Sequence, residues 1–311
     1  MRPQYRNNNR RPPREDKKHE VLPVERPVTV SLQTLLETGS HFGTDTASWN
    51  PKMTPYIYGI RNNVYVINLE KTLECWDTAR DFISSTVEKG GDILFVGTKR
   101  QIKDVVTLEA TGCNSYFVSD RWLGGTLTNL PVIRKTIDRL EKLEKLLASA
   151  EVNNDSFLNK KEKLGISREI EKLTERLGGL RKMKKLPSAI FITDPVKDHL
   201  AVEEALKMHV PIIALMDTDS NPELVDYPIP ANDDGTSALA LFVRAVADAI
   251  TEAKALRVVK GQEEAQEAAL VADEKFAIDD KPMETAQDNA LAVEHKKKKR
   301  AGGGQPGDTR S

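Results

Sequence analysis

Three short runs, Asp92–Gly97 (DILFVG), Ala189–Thr193 (AIFIT) and Pro211–Met216 (PIIALM), are almost continuously apolar. A strand with one wet face alternates apolar and polar residues, so runs without alternation belong to a sheet covered on both faces. Helical patterns separate them: Leu73–Val87, Lys99–Ala110, Lys197–Met208 and a closing Ser237–Arg257. Ser115–Val118 and Tyr227–Ile229 add shorter strands. Strands and helices in this alternation form a doubly wound parallel sheet of the α/β class, with right-handed crossovers. The pattern leaves strand order open. Ahead of it, Tyr56–Ile60 and Asn63–Ile67 read as strands joined by a tight turn at Arg61-Asn62.

One long interruption breaks the alternation. Over residues 132–185, Ile133, Ile137, Leu140 and Leu147 share one helical stripe, and Ile166, Ile170, Leu173, Leu177 and Leu180 share another. The turn-rich Asn153-Asn154-Asp155-Ser156 lies between them. Two helices of about 20 residues, each about 30 Å long, pair antiparallel through such stripes. The expected domains are a basic arm over 1–27, an α/β body over 28–131 and 186–256, a coiled-coil hairpin over 132–185 and a low-complexity tail over 257–311.

At 311 residues with 39% hydrophobic content, the chain has room for one sizeable core and a small appendage. Its formal net charge of −1 is a cancellation. Residues 1–26 carry +4 and 132–185 carry +6, whereas 186–251 carry −8 and 252–294 carry −6, ahead of the run Lys296–Arg300. Such asymmetry assigns different surfaces to different partners. Cys75 and Cys113 form no C-x-x-C pair and read as reduced thiols of a cytosolic protein. No apolar run approaches the roughly 18 residues that span a bilayer, and Met1–Arg6 lacks an apolar signal core.

The loop Arg121-Trp122-Leu123-Gly124-Gly125-Thr126-Leu127-Thr128-Asn129 concentrates a cation, a ring face, glycines and small polar groups, with no acid/base pair beside them. It is built to hold a backbone or a phosphate, and it points to binding rather than turnover. Trp49-Asn50-Pro51-Lys52-Met53 shares that chemistry: Asn and Thr bond phosphate or ribose, and Trp stacks on a base or braces the loop. Gly97-Thr98-Lys99-Arg100 stands where a buried strand meets a helix, either an anion site or a plain turn with exposed cations. No G-x-G-x-x-G or P-loop pattern accompanies it. Asp217-Thr218-Asp219 and Asn232-Asp233-Asp234 follow strands and serve either Mg²⁺ or turn and helix capping. His41 has no His or Cys at ligand spacing and reads as a hydrogen-bonded structural histidine, not a zinc ligand.

Ser31–Phe42, Trp49–Tyr58, Ile67–Thr72, Ile93–Arg100, Arg121–Asn129, Leu177–Gly179, Leu186-Pro187, Thr193–Pro195 and Asp226–Pro230 together closely resemble the bacterial-type small-subunit ribosomal protein "S two" family. The resemblance runs from about residue 28 to 255, and VGTKR with RWLGGTLTN is its most specific part. It implies a flavodoxin-like fold with an inserted coiled-coil hairpin, no catalysis, no cofactor, no small-molecule substrate and a cytoplasmic place in the ribosome. It also implies binding between head and body to small-subunit rRNA and to neighbouring ribosomal proteins, including the large OB-fold protein that captures messenger RNA. By motif and chemistry, the expected rRNA contacts are Trp49, Asn50, Lys52, Arg61, Asn62, Lys99, Arg100, Arg121, Trp122, Thr126, Thr128, Asn129, Arg134 and Lys135. The double change Arg121→Glu with Lys99→Glu is expected to weaken incorporation without unfolding the protein. The sequence departs from the family at Thr44, where a second His is usual, at Ala47-Ser48, where a basic pair is usual, and at Thr236-Ser237-Ala238, where an Arg is common. The alternative is a flavodoxin-like enzyme that binds a phosphate ligand through Lys99, Asp217 and Asp233.

Overall fold

A computed structural model describes residues 26–152 and 159–279. The chain opens with a short helix α1 (Leu32–Glu37), whose Ser31 side chain accepts from the Thr34 amide. A three-stranded antiparallel sheet follows, β1 (Phe42–Asp45), β2 (Ile57–Arg61) and β3 (Val64–Ile67), in the order β1-β3-β2. The β2–β3 turn sits one residue later than the sequence predicts. Arg61 pairs with Val64, leaving Asn62 and Asn63 as the two-residue loop, with φ of 52° and 63°. Positive φ at both central positions is what a type I′ hairpin demands, and Asn tolerates it.

The body is a five-stranded parallel sheet. Its strands are β4 (Ile93–Val96), β5 (Tyr116–Val118), β6 (Ala189–Ile192), β7 (Ile212–Met216) and β8 (Tyr227–Pro230), ordered β5-β4-β6-β7-β8. Side chains alternate between two cores. Ile93, Phe95, Ala189, Phe191, Ile213 and Leu215 enter one, and Leu94, Val96, Ile190, Ile192, Ile212 and Ala214 enter the other. That is why these runs lack polar positions. The first core is closed by α2 (Leu69–Glu88), α3 (Lys103–Gly112) and α7 (Thr236–Asp279), through Trp76, Ile83, Val106, Phe242 and Val246 among others. The second is closed by α6 (His199–Met208) and by the bases of α4 (Leu130–Val152) and α5 (Lys160–Leu177).

Two helices start later than their apolar patterns suggest. The α3 helix begins at Lys103, not Lys99, because Lys99 turns inward to an ion cluster before the helix can form. The α6 helix begins at His199, after Asp194 has bound the Lys197 amide and closed a turn. In the other direction, α2 starts at Leu69, where the Asn68 side chain accepts from the Glu70 amide.

The interruption is helical as expected. Ile133 and Ile137 of α4 pack with Leu177, Leu180 and Met183 in the second core, Leu140 is also buried, and Arg139 pairs with Glu169 at 2.6 Å farther out. Gly179 explains why this junction tolerates no side chain: a Cβ there would lie 2.2 Å from the Phe117 carbonyl oxygen. The Asn153–Ser156 link, most of the N-terminal arm and the Lys296–Arg300 run lie outside the described residues. Val258 onward forms a second unit, whose described part is the remainder of α7.

Candidate nucleic-acid interface

Two loops at the carboxyl ends of the parallel strands carry the most distinctive motifs, and each is organised around one charge. After β4, Lys99 turns into the body and is buried. Its Nζ lies 2.9 Å from Asp233 Oδ1, 3.0 Å from Asp194 Oδ2 and 2.9 Å from Asp234 Oδ1, and it donates to the Asp233 carbonyl at 2.6 Å. Burial alone would lower the Lys99 pKa, but bonds to Asp233 and Asp234 and the charge of Asp194 raise it, so the amine stays charged. The carboxylates outnumber it. Burial and the Asp194 charge push Asp233 up to about 7, and burial pushes Asp217 up to about 6. Lys99 and Asp233 therefore satisfy each other, and among the described residues no cluster of His, Cys, Asp or Glu is arranged to hold a metal.

The second loop, after β5, is built on Glu204 of α6. Its Oε1 accepts from the Trp122 indole N–H at 3.0 Å and the Gly125 amide at 2.7 Å. Its Oε2 accepts from the Leu127 amide at 2.9 Å, and from the amide and hydroxyl of Thr128, each at 3.1 Å. Partial burial opposes ionisation, but these donors outweigh it and hold Glu204 below the usual carboxylate range. The amides that could have cradled a phosphate are thus filled from within. Sequence reasoning missed Glu204, although a signal existed: it lies three residues after buried Ala201 and one before buried Ala205, on the apolar stripe of its helix.

The predicted contact residues divide accordingly. Lys99, Trp122 and Thr126 are buried, the last donating its hydroxyl to the Leu123 carbonyl at 2.6 Å. Arg61 and Asn62 are exposed at the β2–β3 hairpin tip, and Arg100, Arg121, Thr128, Asn129 and Lys135 are exposed around the two loops and the start of α4. Arg134 is half-buried and donates to the Arg181 carbonyl at 2.7 Å, tying the bases of α4 and α5 together. Trp49 packs on Tyr65 with ring centroids 4.9 Å apart. Asn50 caps the following turn by accepting from the Lys52 amide at 3.1 Å, and Lys52 pairs with Glu223. His41 differs from expectation: it lies beside Phe42 with ring centroids 4.0 Å apart, and its buried Nδ1 has no hydrogen-bond partner. Cys75 and Cys113 are both free. Among the described residues no helix is long and apolar enough to cross a membrane.

The family model described as "Ribosomal protein S2" matches residues 35–253. A "Small ribosomal subunit protein uS2" from Lawsonia intracellularis is 48% identical over 228 residues, covering 73% of this chain and 77% of the relative. Proteins of the same name from Nitratidesulfovibrio vulgaris and Petrotoga mobilis are 45% identical over 76% of this chain and 48% identical over 74%, with 87% and 78% of the relatives covered.

Proposed function

The chain belongs to the ribosomal protein S2 family, and from that premise we propose how its surfaces serve the small ribosomal subunit. It is a structural constituent of that subunit, working in translation within the ribosome, and not an enzyme. The observation that carries this function is the family match over residues 35–253. The strand order β5-β4-β6-β7-β8 supports a flavodoxin-like reading, because in that arrangement the second strand lies outside the first and the remaining three on its other side. The paired α4 and α5 form the coiled-coil arm, whose charge of +6 over 132–185 suits a phosphate-rich surface.

In this proposal the rRNA contacts fall to the exposed set: Arg61, Asn62, Arg100, Arg121, Thr128, Asn129 and Lys135, with Lys52 beside them. The buried members of the predicted set act from beneath. Lys99, Trp122 and Thr126 hold the loops that present Arg100, Arg121 and Asn129, while Trp49, Asn50 and Arg134 brace their own turns. Phosphate contacts of this kind position a protein without reading sequence and weaken with salt. The acidic stretch 186–251 favours protein partners over RNA. It suits neighbouring ribosomal proteins between head and body, the large OB-fold messenger-capturing protein among them.

The enzyme alternative lacks its working groups, because Lys99 and Asp233 are spent on each other. The test is sedimentation of tagged protein from a lysate. Wild type is expected with small subunits, and Arg100→Glu with Arg121→Glu shifts it to the soluble fraction while its thermal midpoint stays unchanged. Normal incorporation of that variant would show that these side chains are not contacts. The pair replaces Lys99→Glu with Arg121→Glu, because a glutamate at 99 adds a carboxylate to a cage already rich in them.

A further inference from the structure

A cleft of about 540 Å³ opens between the turns that follow β4, β5 and β6, where the chain switches from one side of the sheet to the other. In open α/β sheets this is the position where ligands bind, and the volume falls in the range of small-ligand pockets. Arg100, Lys103, Arg121 and Lys197 line it, with Asp120 and Asp198 as the opposing charges. Lys103 is already paired with Asp120 at 3.1 Å. Lys197 donates to the Thr98 carbonyl at 2.9 Å, and neither Arg100 nor Arg121 has an ion pair among the described residues. Arg100 and Arg121 thus leave the cleft with more positive charge than Asp120 and Asp198 offset.

A second observation comes from Asp198, which is 5% exposed and forms part of the cleft wall. Its Oδ1 accepts from the Thr98 hydroxyl at 2.9 Å, but its buried Oδ2 has no hydrogen-bond partner. Burial raises this carboxyl to about 6. A buried acceptor without a donor is costly and uncommon, and the terminal carboxylate torsion is soft enough to turn Oδ2 toward the cleft. What fits is a ligand that brings an anion for Arg100, Arg121 and Lys197 and a hydroxyl for Asp198.

We propose that this cleft takes one ribose-phosphate unit of an RNA strand, with the phosphodiester held by Arg100, Arg121 and Lys197 and a ribose hydroxyl donated to Asp198. The site deepens the rRNA-binding function and rests on it, replacing surface phosphate contacts with a pocket that tells RNA from DNA through the 2′-hydroxyl.

The test uses the full chain at low salt in calorimetric titrations with the ribodinucleotide ApA, its deoxy counterpart and AMP. ApA is expected to bind at least fivefold more tightly than the deoxy form and more tightly than AMP. Lys197→Glu should weaken ApA at least tenfold and reduce incorporation into subunits. Asp198→Ala should bring ribo and deoxy affinities within twofold, with circular dichroism and retained low-salt phosphate binding confirming its fold. Equal binding of ApA and its deoxy form would overturn the proposal, as would an unaffected Lys197→Glu. Tighter AMP binding, or normal incorporation of Lys197→Glu despite lost ApA binding, would identify a free nucleotide and overturn the RNA strand as the ligand. Failure of wild-type protein to sediment with subunits is a separate result that strikes the ribosomal function instead.

Discussion

The turn after β4 and the loop after β5 end neighbouring strands of one sheet, yet they are held by opposite electrostatic arrangements. At the first, a single ammonium, Lys99, lies among Asp194, Asp233 and Asp234. At the second, a single carboxylate, Glu204, lies among neutral N–H and O–H donors. At the first, burial and then the Asp194 charge push Asp233 up to about 7, and burial pushes the nearby Asp217 up to about 6. The second has no competing charge in the nest, so Glu204 is pushed down. The two arrangements therefore respond oppositely to acid: protonation relieves the Lys99 cluster and dismantles the Glu204 loop.

The largest expected effect comes from breaking the first arrangement. Lys99→Ala leaves three carboxylates without their cation, and removing one partner of a buried ion pair costs about 3–5 kcal/mol. Urea denaturation at pH 8 should show that loss. At pH 5 the loss should shrink, because Asp233, at about 7, is then largely protonated. A loss that is the same at both pH values would mean that the carboxylates around Lys99 are not strained.

Next in size is Glu204→Ala, which strands the Trp122 indole and the amides of Gly125, Leu127 and Thr128. Hydrogen bonds to a charged group contribute about 1.5–3 kcal/mol each, and water entering the opened loop recovers part of this. A net loss of about 2–3 kcal/mol is expected. Hydrogen exchange at Leu127 and Thr128 should accelerate while that at the β4 amides does not. The sign with pH is the reverse of the Lys99 cluster. A carboxylate held below its unfolded value of 4.5 contributes stability above that pH and loses it as pH falls through the folded value.

These two sites also mark where the sequence was legible. The parallel sheet could be read because its runs carry no polar position, and the helical insertion could be read because its stripes keep strict spacing over many turns. The short elements α1 and β1 and the turn at Pro51–Tyr56 carried too few residues for a period to show. At the candidate interface, composition singled out the loops, and folding gives some of their residues a bracing duty that the linear chain does not display. Lys99 and Trp122 look like ligand groups in a linear chain. Their partners Asp194, Asp233 and Glu204 lie some 80 to 135 residues away, where only the folded sheet brings them close. Arg121 had no such partner, and its exposure agrees with its chemistry.

A smaller effect of opposite sign tests the cost of burying a carboxylate. Asp217 has a carboxyl raised from 3.8 to about 6, so its ionisation opposes folding. Its contribution is unimpaired below about pH 4, declines as pH rises from 3.8 toward 6, and is constant above that. Asp217→Asn removes the penalty and keeps an oxygen to accept from the Thr218 amide. A gain on the order of 1–2 kcal/mol at pH 8, read as a thermal midpoint higher by a few degrees, is expected with none at pH 4. A gain of equal size at both pH values would point to packing instead of charge.

The smallest effect separates adjacent residues of one loop. Trp122 is 4% exposed and bonded to Glu204, whereas Arg121 is exposed and has no ion pair among the described residues. Surface substitutions away from caps and networks change stability by no more than about 0.5 kcal/mol, so Arg121→Ala should leave the urea midpoint where it is. Trp122→Phe deletes the indole donor, and the carboxylate it serves stays half-covered. Glu204 Oε1 keeps the Gly125 amide, so a loss of about 1–2 kcal/mol is expected, carried by the missing bond to a charged group more than by lost apolar area. In co-sedimentation the order should invert: Arg121→Ala weakens association with subunits, most at low salt where the lost phosphate contact is least screened, while Trp122→Phe retains it wherever the loop is folded. If both variants lost stability equally, the division between presenting and bracing residues would not hold. The loop would then be one cooperative unit in which Arg121 is as structural as Trp122.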